Sequence, residues 1–147
     1  MAVAPVGLEQ TPLYGGLRFE RRYTETGADP YAGIAFVARS SRIVNPDGSV
    51  VFEATVMAPE SWSQVAVDII AQKYCRKAGV PTRLARVEEP GVPTWLARTV
   101  ADADALAQLP EGERDGGESD AREVFRRLAG CWAYWGFKHG YFGEDDA

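Results

Sequence analysis

Histidine is nearly missing from this sequence: His139 stands alone among 147 residues, so a histidine-based metal site would need ligands that the chain lacks. Cysteine is almost as scarce. Cys75 and Cys131 lie far apart and form no close-spaced motif, and residues 1–8 carry neither the positive start nor the apolar run of an export signal. Both cysteines are therefore read as reduced thiols in a cytoplasmic protein. Long apolar runs are lacking too: residues 65–71 are interrupted by Asp68, and no stretch reaches the length of a membrane span. Basic charge is in deficit, with 16 Lys and Arg against 21 Asp and Glu and a net charge of −5. That balance excludes a broad nucleic-acid footprint, which needs a clustered basic face, but leaves room for a small basic pocket around one nucleotide.

What is present is ordinary globular material, 46% hydrophobic and 25% charged, enough for one domain with a modest core. Residues 1–16, with Pro5, Gly7, Pro12, Gly15 and Gly16, read as a flexible leader. Leu17, Phe19, Arg21 and Tyr23 then alternate with Arg18, Glu20, Arg22 and Thr24, which predicts a strand. Further strands are predicted at about 34–44 and 50–57, joined by Asn45-Pro-Asp-Gly48. Pro46 presets a turn angle and Gly48 accepts a left-handed exit, so the pair reads as a hairpin with Val50, Phe52, Ala54 and Val56 on one face.

A helix is predicted after Pro59, with Ser61 as its cap and Gln64 completing a capping box. Trp62, Val65, Ala66, Ile69 and Ile70 recur at helical spacing and predict one buried stripe. Residues 82–118 read as mostly irregular, with short helices around Trp95 and from 103 to 109. Between Asp102 and Asp120 only Arg114 offsets a series of acids. The stretch 102–118 is therefore expected to be a solvated, mobile acidic loop that trypsin cuts first after Arg114. Ser119 is expected to cap a second long helix carrying Phe125, Leu128, Ala129, Trp132, Trp135 and Gly136 on one side, closed by Gly140. Glu144, Asp145 and Asp146 read as the first turn of yet another helix, so the chain is expected to stop short of the complete protein. The fold class is α+β: a small antiparallel strand set, two main amphipathic helices and a long acidic loop.

Few residues tempt a chemical reading. Lys73, Arg76 and Lys77, followed by Arg83 and Arg86, could collect a phosphate or an acidic partner surface. The plainer account is that cations satisfy a helix C-terminus, which repels anions. Cys75, beside that basic end, is the better candidate for a lowered thiol pKa. Cys131 reads as a small buried apolar residue. Trp62, Trp95, Trp132 and Trp135 read as packing or interface residues rather than base-stacking platforms, and His139 as a helix-end residue meeting the last carbonyls.

From Gly16 onward, consecutive runs resemble the N-terminal domain of bacterial class II ribonucleotide reductases, which depend on adenosylcobalamin. They are Leu17-Arg-Phe-Glu-Arg-Arg-Tyr-Thr24, Ser41-Arg-Ile-Val-Asn-Pro-Asp-Gly-Ser-Val-Val-Phe-Glu53, Pro59-Glu-Ser-Trp-Ser-Gln-Val-Ala66, Ile70-Ala-Gln-Lys-Tyr-Cys-Arg-Lys-Ala-Gly-Val-Pro81 and Phe125-Arg-Arg-Leu-Ala-Gly-Cys-Trp-Ala-Tyr-Trp-Gly136. Cys75 departs from the family pattern, where an aromatic residue is usual. The resemblance implies that 17–147 is the non-catalytic N-terminal domain of a cytoplasmic ribonucleoside-diphosphate reductase, cut before the catalytic barrel. It also implies a thiyl radical on a barrel cysteine, a reducing cysteine pair, and a cofactor that carries the hard radical step. All of these lie beyond Ala147, so no catalytic, cofactor-binding or metal residue is assignable here, and this segment alone is expected neither to turn over nor to hold adenosylcobalamin tightly. The implied partners are the barrel of the same polypeptide and, in the whole enzyme, a ribonucleotide. No nucleic acid or membrane is expected, and a homodimer is left open. The alternative is a self-contained module that binds a protein partner through its aromatic helix faces.

Overall fold

The computed structural model describes residues 20–90 and 92–142. Its centre is an antiparallel hairpin of β1 (Phe36–Val44) and β2 (Val50–Pro59), in register from Phe36 opposite Pro59 to Ile43 opposite Phe52. The predicted turn closes it. Gly48 has φ +85° and donates its N–H to the Asn45 carbonyl at 2.9 Å, while the Asp47 carboxylate accepts from the Ser49 N–H. Alternation then sets the inner face: Phe52 and Ala54 are partly covered, and Val56 and Ala58 are buried in the core.

After β2 the chain enters α1 (Gln64–Ile69), capped by Ser63 and not by Ser61; the Ser63 hydroxyl accepts from the Ala66 N–H. Gln64 completes no box. Its side chain donates to the Ser40 carbonyl at 2.8 Å and accepts from Arg39, fastening α1 to β1. From Ile70 to Tyr74 the helix widens to a π turn, in which the Cys75 N–H reaches back five residues to the Ile70 carbonyl. Later start and wider turn change the phase. The buried set is Val67, Ile70, Ala71 and Cys75, whereas Val65 and Ile69, predicted inside, point outward, Ile69 with 49% of its surface exposed.

Residues 20–24 form no strand, and Tyr23 is exposed. Residues 17–19, the leader and the acidic end from 143 lie outside the described residues. The stretch 82–118 is more regular than predicted. β3 (Val80–Pro81) pairs with β6 (Asp115–Gly116), and β4 (Leu84–Arg86) pairs with β5 (Thr99–Ala101). Between them lie 3-10 turns at Thr94–Leu96 and Glu111–Glu113 and the helix α2 (Ala103–Ala107). Most of the acids that suggested a solvated loop sit at helix starts, where they are favourable: Asp102 caps α2 by accepting from the Ala105 N–H, and Glu111 and Glu113 lie in the first turn of a 3-10 helix. Arg114 is also tied in place, its carbonyl accepting from the Thr82 N–H at 3.0 Å.

α3 (Ala121–Lys138) is the long helix. Asp120, not Ser119, is its cap, and Glu123 completes the capping box. Gly140, with φ +69°, closes it. Ala121, Val124, Phe125 and Leu128 lie against the core formed by β2, α1 and the π turn, with the Phe125 and Trp62 rings edge to face at 6.0 Å. The class is α+β, as predicted from the pattern of strands and helices.

Candidate functional site

The basic helix end is organised around one carboxylate. Glu118 has a side chain only 5% exposed, against 28% for its partner Arg127. Arg127 donates through Nε and Nη2 to the two carboxylate oxygens, each at 2.9 Å, and Nη2 also donates to the Tyr74 carbonyl. The Arg76 N–H donates to the same carboxylate, and the Arg76 carbonyl accepts from the Glu118 N–H at 2.8 Å. The chain approaches so closely here that a side chain at Gly117 would put a Cβ 2.8 Å from the Lys77 carbonyl oxygen. Arg127 above all holds the Glu118 carboxyl below its ordinary range.

Of the cations predicted from sequence, Lys77 is spoken for. Its ammonium donates to the Ala71 carbonyl at the helix end and lies 4.2 Å above the Phe52 ring, the C-terminal role that helix ends favour. Lys73 and Arg76 are exposed, and Arg83 donates to the Thr82 carbonyl. A cleft of about 190 Å³ runs between β2 and these residues, lined by Val56, Ala71, Cys75, Lys77 and Glu118 among others. Its thiol is not activated. Burial pushes the Cys75 pKa up, and the Glu118 carboxylate pushes it further, so the expected lowering does not occur; the neighbouring cations do not outweigh these effects. Cys131 is half-buried and, like Cys75, free.

A second hub, which sequence reasoning missed, ties the 84–101 segment to the far end of α3. The Glu89 carboxylate accepts from Tyr134 Oη at 2.7 Å and Lys138 Nζ at 2.8 Å, and pairs with Arg98. Lys138, Tyr134 and Arg98 together lower its pKa to about 2. Beside it lies a hollow of about 360 Å³ lined by Glu88, Glu89, Pro90, Val92, Thr94 and Ala97. No sequence signal announced either hub: Glu89 and Glu118 meet partners at separations that match no helical or strand period.

Trp62 packs against Phe125 beside the core, and Trp95, itself 56% exposed, sets its ring edge to face against Phe137 at 5.9 Å. Trp132 and Trp135 are 65% and 54% exposed, although they continue the very face of α3 that buries Ala121, Val124, Phe125 and Leu128 upstream. His139 stands at the helix end, its N–H donating to the Trp135 carbonyl. Among the described residues no group of three or more His, Cys, Asp or Glu is placed to hold a metal, and no helix is long and apolar enough to cross a membrane.

Fold and surface thus define a small α+β domain with a closed core and an uncovered aromatic helix face. Comparison with known proteins makes this specific. A family model described as class II vitamin B12-dependent ribonucleotide reductase matches residues 37–147. The chain is 59% identical over 131 residues to a protein of Bradyrhizobium diazoefficiens named vitamin B12-dependent ribonucleotide reductase, a match covering 88% of this chain and 10% of that protein. A protein of the same name from Agrobacterium fabrum is 58% identical over 133 residues, 89% of this chain and 10% of its own; one from Streptomyces coelicolor is 46% identical over 71 residues, 46% of this chain and 7% of its own. The chain belongs to the class II vitamin B12-dependent ribonucleotide reductase family, as its N-terminal domain, and spans about a tenth of the length of the first two relatives.

Proposed function

We propose that this chain is the non-catalytic N-terminal part of an adenosylcobalamin-dependent ribonucleoside-diphosphate reductase, a cytoplasmic enzyme that makes deoxyribonucleotides, and that its task is to dock against the catalytic barrel of the same polypeptide. The observation that carries the reading is the strong identity to reductases of which this chain matches only a tenth. The chain's own inventory agrees with placing the chemistry elsewhere. The reaction implied by the family needs three cooperating thiols; here Cys75 is buried with a raised pKa and Cys131 is a separate, half-buried residue on α3. Nor do the two hollows found among the described residues fit the cofactor. The hollows of about 360 and 190 Å³ are small for a corrinoid, since even a drug-sized ligand takes roughly 300–1,000 Å³, and the larger one is walled by Glu88 and Glu89. Lys73 and Arg76 are exposed and suit the polar rim of a protein contact better than a phosphate site, because the buried Glu118 carboxylate lies beside Arg76.

The test is a cobalamin titration of this chain followed by absorbance, alongside a reductase assay with a dithiol present. The expected result is no spectral change at micromolar cobalamin and no turnover. Either one appearing with this chain alone would place the chemistry in the wrong part of the enzyme.

A further inference from the structure

Resting on that reading, we infer that the docking surface for the remainder of the reductase polypeptide is the Trp132–Trp135 stripe of α3, with the two indole rings as its central anchors. Ala121, Val124, Phe125 and Leu128 form a single apolar stripe at 3- and 4-residue spacing, and the domain's own core covers it. The same stripe runs on to Trp132 and Trp135, and there the cover stops. The rest of this half of α3 is not bare. Tyr134 and Lys138 are held by Glu89, Phe137 is flanked by the rings of Trp95 and Phe142, and Gly136 is buried so tightly under Phe142 that a Cβ there would lie 2.0 Å from the ring.

These neighbours are thus held by contacts within the described residues, whereas Trp132 and Trp135 present large apolar rings, continuous with the core stripe, on one side of the helix. Exposed apolar patches of this kind mark contact sites, and tryptophan is the residue most enriched at the energetic centre of interfaces. The occupant follows from length: relatives that share this sequence are about ten times as long as the part they share, so the surface that meets this helix belongs to the same polypeptide. The exposed pair on α1, Val65 and Ile69, is aliphatic, smaller and not continuous with the core stripe, and is not the docking face.

The experiment is oxidative footprinting of tryptophan read by mass spectrometry. The chain is examined alone and grafted in place of the matching segment of the Bradyrhizobium diazoefficiens reductase, with Tyr23 as an exposed internal control. Trp132 and Trp135 are labelled in the isolated chain and lose that labelling in the graft, while Tyr23 is labelled in both. Equal labelling of the two tryptophans in both settings overturns the inference. The same readout, with this chain added in trans to the relative's polypeptide lacking its own segment, decides the matter if the graft fails to fold. A reductase assay on the same samples separates the two ideas. Protection without adenosylcobalamin-dependent reduction leaves the docking face standing and removes the functional reading; reduction without protection does the reverse.

Discussion

Glu118 shows how much a single side chain carries in a domain of this size. Its carboxylate, nearly out of solvent, joins the loop before α3, the chain after the π turn and α3 itself through Arg76 and Arg127. Breaking a fully buried pair costs about 3–5 kcal/mol. Because Arg127 keeps 28% of its surface and solvent screens it, Glu118→Ala is expected to cost less, about 2–3 kcal/mol, read as a shift of the urea midpoint. A loss below about 0.5 kcal/mol would show the hub to be ornamental. The carboxylates also set the acid response. Glu118 and Asp120, held down chiefly by Arg127 and Arg122, and Glu89, held down chiefly by Lys138, all have folded pKa values below their ordinary ones. The unfolded chain therefore binds protons first, and stability falls as the solution is acidified. The contribution is full above the ordinary glutamate value of 4.5 and, for Glu89, is lost as pH falls toward about 2. Circular dichroism melts across that window test the sign; rising stability on acidification would contradict it.

Elements differ in how much of them the residues announce. The β1–β2 hairpin was legible because Asn45-Pro-Asp-Gly48 has the chemistry its turn demands and the inward residues keep a period of two. α3 was legible from its apolar spacing and Gly140. α1 misled, since the choice between Ser61 and Ser63 as cap rests on where the chain leaves β2, and a π turn leaves no mark in composition. The consequence is testable. Val67→Ala, which empties a fully buried site, is expected to cost about 2–3 kcal/mol, and Ile69→Ala, on the outer face, below about 1 kcal/mol; the opposite order in urea unfolding would restore the sequence-based stripe. Both charged hubs were illegible because their partners come together only when separate elements pack. The short elements of the acidic stretch were illegible for a related reason: acids that serve as caps look, in a sequence, like acids that serve only solubility. With Arg114 fastened to Thr82 and Leu109, trypsin is expected to cut after Arg22, in a stretch with no strand pairing, before it cuts after Arg114.

For the whole molecule, the division of labour lies between a closed core that folds the domain and a bare tryptophan stripe that commits it to a partner. Replacing Trp132 and Trp135 with glutamate should therefore leave the isolated chain's stability within about 0.5 kcal/mol, as for surface positions generally, while removing its ability to join the rest of a reductase. The most direct measurement is reconstitution. The Bradyrhizobium diazoefficiens reductase lacking its matching segment is assayed for adenosylcobalamin-dependent reduction of a ribonucleoside diphosphate, with and without this chain in trans. Little activity is expected without the chain, restoration with it, and none with the Trp132→Glu, Trp135→Glu variant; full activity of the shortened enzyme on its own, indifferent to the added chain, would show that the domain has no such docking role.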